Sequence, residues 1–164
     1  MVERKRLWHF LDASHDLTFE NTNYVLLGED LEEFSVEMNP NIETTENILG
    51  KKSIKHKGYD VSADVSPLYL GYDDALTTWI MDIINNRSTG DACKTSYLDV
   101  LTKPGATEDV APTVVWAYRE EVMVIPQSYG GDTTGTQVPI QIQFTGKRTK
   151  GTFDIETKKF TAAA

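Results

Sequence analysis

Three histidines, one cysteine and a few carboxylates are the side chains of this sequence that could carry chemistry. A zinc site needs three or four convergent nitrogen or thiolate ligands. His9, His15 and His56 sit in unrelated contexts, no two at helical spacing, and Cys93 brings no second thiolate. They read as ordinary surface histidines, His9 and His15 on an N-terminal arm and His56 among lysines. As a nucleophile, Cys93 would need an adjacent base or a lowered pKa. Nothing near it supplies either, and it reads as a half-buried thiol. Glu37 and Asp64 could face each other from neighbouring strands as a hydrolytic carboxylate pair. The strand aromatics Phe34 and Tyr59 fall on the opposite face, away from any sugar held there.

Two short strings have the look of active-site motifs. Asp132-Thr133-Thr134-Gly135 carries one Thr too many for the Asp-Thr-Gly of an aspartic protease and has no second copy. Gly146-Lys147-Arg148-Thr149 lacks the earlier glycine of a phosphate-binding loop and reads as a hairpin turn. The expectation is a protein that is not an enzyme and holds no metal or cofactor.

The elements that would position any site are mostly strands. Phe34, Val36 and Met38 alternate with Ser35, Glu37 and Asn39, the period of a half-buried strand. Tyr59, Val61, Ala63 and Val65 alternate with Asp60, Ser62 and Asp64, with Gly58 suited to a bulge before them. These two strands should pair as a hairpin joined by a long polar loop from Pro40 to Lys57. One helix is expected at about 73–86: Asp73 or Asp74 caps it, and Leu76, Ile80, Ile83 and Ile84 form its apolar stripe. Arg87 and Gly90 follow its end. Further strands are expected at Tyr97–Leu101, in one or two pieces over Val114–Ile125, and at Val138–Phe144. Gly146-Lys147-Arg148 should turn that last strand into another over 152–156. Pro139 cannot donate to a ladder and belongs at a strand start or an edge. Residues 1–31 are expected to be an N-terminal arm, 32–160 one β domain and 161–164 a frayed tail.

The chain has 164 residues, enough for one domain with a real core. No stretch approaches a membrane span or a signal peptide's apolar run. With one cysteine, the expectation is a soluble protein made in a reducing compartment. The charge of −9 is unevenly spread. Leu17 to Gly50 holds eight acids and no Lys or Arg, and is followed by Lys51, Lys52, Lys55 and Lys57. Lys147, Arg148 and Lys150 give the C-terminal part the opposite sign to the acidic middle. Such a chain does not grip phosphate backbones through its net field, whereas segregated blocks of both signs suit copies meeting head to tail.

Several strings, in order, carry a resemblance. They are Asn39-Pro-Asn-Ile-Glu-Thr-Thr-Glu-Asn-Ile-Leu-Gly50, Gly58-Tyr-Asp-Val-Ser-Ala-Asp-Val65, Asn86-Arg-Ser-Thr-Gly-Asp91, Pro126-Gln-Ser-Tyr-Gly-Gly-Asp-Thr133 and Gly146-Lys-Arg-Thr-Lys-Gly-Thr152. From about Phe34 to Phe160 the chain resembles the major tail tube proteins of long-tailed bacteriophages and prophages. The resemblance implies a β-sandwich or small barrel with one flanking helix. It also implies hexameric rings of this chain, stacked head to tail into the hollow tail tube of the virion. Tape-measure protein and tail-tip or terminator proteins would be its partners, DNA would pass through without specific binding, and synthesis would be in the bacterial host's cytoplasm, with no membrane involved. On that reading Ser35, Glu37, Ser62 and Asp64 are the candidates for the lumen. Lys51, Lys52, Lys55, Lys57, Lys147, Arg148 and Lys150 are the candidates for contact with the next ring. The rivals are a terminator or adaptor that forms a single ring, the inner tube of a contractile injection particle, and a small-ligand β-barrel.

Overall fold

The computed structural model describes residues 1–163. It is mainly β with one helix, as the sequence leads one to expect, and half of the chain is strand. In chain order the strands are β1 (Leu7–Asp12), β2 (Tyr24–Leu27), β3 (Val36–Glu37), β4 (Pro40–Glu46), β5 (Lys52–Tyr59) and β6 (Ser62–Val65), followed by the helix α1 (Ala75–Asn86). Then come β7 (Lys94–Lys103), β8 (Thr113–Pro126), β9 (Gly130–Asp132), β10 (Gly135–Gln137), β11 (Ile140–Asp154) and β12 (Lys159–Ala162). One curled, half-barrel sheet runs β2-β1-β7-β8-β11-β6-β3, with β12 also on β11, and β4–β5 and β9–β10 are separate two-stranded ribbons. Every pairing is antiparallel.

The helix forms where its stripe demands it. Asp74 accepts from the Leu76 amide at 3.1 Å, and Leu76, Ile80, Ile83 and Ile84 are buried. Arg87, at φ 50°, takes the left-handed position at the helix end, and its side chain donates to the Ile84 carbonyl at 2.6 Å. The stripe packs with Leu11, Val122, Val124, Ile140 and Ile142 of the sheet. Phe10, Tyr24, Leu98, Val100, Ala117 and Phe153 make a second core on the opposite face, so the middle of the sheet is covered on both sides.

Several expectations need correction. Residues 1–31 are not an arm: β1 lies inside the sheet, pairing with β2 and β7, and Phe10, Leu11 and Asp12 are all buried. Burial on both faces erases the two-residue period, and His9 and Asp12 make the strand look polar. Asp12 Oδ1 instead gathers the loop that follows, accepting from the Ser14 and Asn23 amides at 2.9 Å each. That loop is pinned by Arg119, whose guanidinium lies 3.6 Å from the Phe19 ring and 4.8 Å from that of Phe160. The stretch from Pro40 to Lys57 is no loop either; it is the β4–β5 hairpin, with a bulge beside Gly58. Gly146-Lys147-Arg148 is no turn but a bulge through which β11 continues, its register on β8 shifting between Phe144 and Arg148. Thr161 and Ala162 belong to β12 rather than to a frayed tail, and Ala164 lies outside the described residues.

The pairing expected between 34–39 and 59–65 is present as β3 on β6, with Val36 opposite Ala63 and Glu37 opposite Ser62. It is short because Asn39, at φ 43°, bends the chain away into the hairpin. Pro139 does sit at a strand start, just before β11.

Candidate functional site

Three surfaces hold the residues singled out from the sequence. The first is an acidic cleft beside β3 and β6. Ala63 and Val65 point into the core while Asp64 points out, as period two requires. Ser35, Glu37 and Asp64 line this cleft of about 570 Å³ together with Asp30, Glu32 and Glu33, and no lysine or arginine is among its lining residues. Ser62 stands opposite Glu37 but is held locally, its Oγ 3.1 Å from the Asn39 side-chain amide. Three of the four lumen candidates therefore share one cleft, which the added carboxylates of Asp30, Glu32 and Glu33 make strongly repulsive to anions. Those three were readable in the acid run but lay outside any strand pattern.

The second surface is the β4–β5 hairpin, and neither of its faces is packed on the core. Ile42, Thr44, Ile54 and His56 share one face. The other carries Glu43, Lys55 and the Thr45–Ser53 hydroxyl pair at 2.8 Å. Its turn is tightly built. Asn47 Oδ1 accepts from the Leu49 and Lys51 amides at 2.9 and 3.0 Å, and Gly50 takes φ 74°, a conformation that favours glycine. That turn drives Ile48 and Leu49 into solvent at 102% and 75% exposure. Ile42 and Ile54 are exposed as well. Lys57 pairs with Glu43 at 2.8 Å, whereas Lys51, Lys52 and Lys55 form no ion pair among the described residues.

The third is the β11 bulge, where the basic candidates separate. Lys150 is exposed, and Lys147 is largely so, reaching Glu121 only at 3.6 Å. Arg148 is engaged within the chain: its guanidinium is 3.1 Å from Asp99, 3.6 Å from Glu120 and 4.5 Å from the Tyr118 ring centre. Its partners continue inward. Asp99 Oδ1 is 2.7 Å from His9 Nδ1, and Tyr97 Oη is 2.6 Å from the same nitrogen. His9, 5% exposed, is thus no surface histidine. Burial on its own would raise Asp99, but the hydrogen bonds from His9 and Tyr97 and the Arg148 charge outweigh it and hold the carboxyl below its ordinary value. For Glu120, burial wins over the Gly146 amide and Arg148, and its pKa is raised. Burial also raises Tyr97, and Asp99 beside it adds to the effect. No signal in the sequence pointed to this cluster, because its members lie far apart on four different strands.

Cys93 is buried, its Sγ 3.4 Å from the Ser88 carbonyl, and burial raises the thiol's pKa, which leaves it a poor nucleophile. It borders an apolar cleft of about 680 Å³ between the end of α1 and β8, with Ile83, Ile84, Met123 and Tyr129. No family model and no curated protein matches the chain.

Proposed function

We propose that this chain is a structural subunit that assembles with copies of itself into rings and then into a hollow tube of the phage tail type. The observation that carries the reading is the β4–β5 hairpin. An isolated two-stranded hairpin is marginal in water, yet this one is stiffened by a specific turn and carries four exposed aliphatic side chains. A second copy would cover them. The open edges β2 and β3 of the half-barrel support the same reading, since exposed edges are an aggregation hazard unless a neighbour pairs with or covers them. Lys51, Lys52, Lys55, Lys147 and Lys150 are the basic groups left for the next ring, with Arg148 removed from that role. The acidic cleft with Ser35, Glu37 and Asp64 is the part assigned to the lumen, where its sign would let DNA slide past.

The test is negative-stain microscopy of the concentrated protein, with light scattering on the same sample. Striated hollow tubes are expected. Replacing Ile48 and Leu49 by Ser, or Lys51, Lys52 and Lys55 by Glu, should abolish tube growth while monomer stability stays within about 0.5 kcal/mol, as for surface changes generally. Rings that never lengthen would favour a terminator or adaptor, and a surrounding sheath partner would mark a contractile particle. One observation favours a small-ligand carrier as the second reading, namely the apolar cleft beside α1. Persistent monomers, even with tail-tip complex added, would select it.

A further inference from the structure

The His9 cluster has a proton count that its geometry decides. His9 Nε2 lies 3.0 Å from an Arg4 guanidinium nitrogen, and a guanidinium only donates. Nε2 must therefore accept, the ring proton sits on Nδ1 facing Asp99, and the imidazole is neutral. Arg4 also donates to the Leu7 carbonyl at 2.7 Å and to the Phe34 carbonyl at 3.2 Å. It thereby ties the 3₁₀ turn Arg4–Arg6 to the segment that leads into β3. We propose that His9 is a proton-operated latch: neutral, it holds Arg4 and the N-terminal turn in place, and on acidification it releases them.

A proton added at Nε2 would put an N–H against an N–H and a cation against a cation. The same guanidinium nitrogen of Arg4 also donates to the Phe34 carbonyl. On the other side of the ring nothing need change, because Asp99 accepts from Nδ1 in either state. The charged and titratable groups around the ring come from every neighbouring element. Asp99 and Tyr97 stand on β7, Glu120 on β8, Arg148 on β11, Arg4 and Lys5 on the turn, and Glu29 and Glu32 on the segment after β2. The carboxylates favour an imidazolium, and Arg4 is the cation in direct contact that opposes it. Arg148 stays fixed between Asp99 and Glu120, so Arg4 is the group that moves. Arg4 already lines a cleft of about 510 Å³ with Leu7, Trp8, Leu26, Leu31 and Phe34, and its departure would widen that cleft.

The experiment is amide hydrogen exchange of the intact protein at about pH 7.5 and about pH 5, on either side of histidine's usual titration, corrected for intrinsic rates. The Arg6 and Leu7 amides, bonded to the Glu3 and Arg4 carbonyls, report the turn. Their protection should fall about tenfold at the lower pH, the worth of one hydrogen bond to a charged group. His9→Gln keeps an acceptor for Arg4 but cannot take up the proton, and should hold the protection constant. Arg4→Met should show low protection at both pH values, and it carries the test should the Gln variant fail to fold. Ring nitrogen shifts at neutral pH should report the Nδ1–H tautomer. An Nε2–H tautomer, pH-independent exchange in the unmodified chain, or a pH step that survives in either variant would overturn the proposal.

Discussion

Strand β1 and the β4–β5 hairpin are both short, mixed-polarity stretches, and they have opposite fates. Leu7-Trp-His-Phe-Leu-Asp12 is built into the sheet with its histidine and aspartate buried; His9 is bonded to Asp99 and Asp12 accepts through Oδ1, while Asp12 Oδ2 has no partner among the described residues. The hairpin's polar residues are solvated, but so are Ile42, Ile48, Leu49 and Ile54. Polarity alone therefore says little about where a residue sits in this molecule. What separates the two is whether partners exist within the same chain: β1 finds them on β7, more than eighty residues away, whereas the hairpin's aliphatic side chains find none.

The comparison can be broken from the β1 side first. Asp99→Ala leaves Arg148 short of a partner and His9 Nδ1 without its acceptor. The loss should be about 1–3 kcal/mol in urea titration, as for a buried donor left without its acceptor, and a loss under about 0.5 kcal/mol would mean that the cluster is not held as described. Ile80→Ala empties a fully buried site under α1 and should cost ~2–5 kcal/mol. The smallest effect is the most discriminating. Glu120 has a raised pKa, so its ionisation costs stability, increasingly so as the pH climbs from its ordinary value of 4.5 through the raised one. Asp99 has the opposite sign: its contribution is complete above 3.8 and is lost as the pH falls through its lowered value. Stability should therefore rise slightly on mild acidification and then drop. Glu120→Gln should remove the rise and leave the drop, as followed by thermal melts across that range. A melt profile unchanged by the substitution would remove Glu120 from the buried network.

What was legible in the sequence divides along the same line. The helix was readable because Leu76, Ile80, Ile83 and Ile84 repeat at its period and Asp74 caps it. Ala63 and Val65 were readable because only one face of β6 is buried. The β1 strand was hidden because Phe10 and Leu11 fill cores on opposite faces, so no alternation survives. The β4–β5 ribbon was hidden for the converse reason, since strands without a buried face need no pattern. Gly146 was misread because a glycine at positive φ, here 87°, serves a bulge as well as a turn. Of the candidate site, Ser35, Glu37 and Asp64 could be placed on one face from spacing. The role of Arg148 could not, because Asp99 and Glu120 meet it only across strands.

The Arg119 clamp has a consequence for the order in which the molecule can be made. Phe19 leaves the ribosome well before its cation, which is a hundred residues further on, and the second ring on that cation belongs to β12. His9 likewise waits for Tyr97 and Asp99. The contacts of β1 with β7 are therefore fixed long after β1 itself is synthesised, and contacts this distant in sequence fold slowly. During that interval the Leu7–Asp12 segment has only β2 beside it and its β7 edge stays open, the stage at which a chaperone would have most to protect.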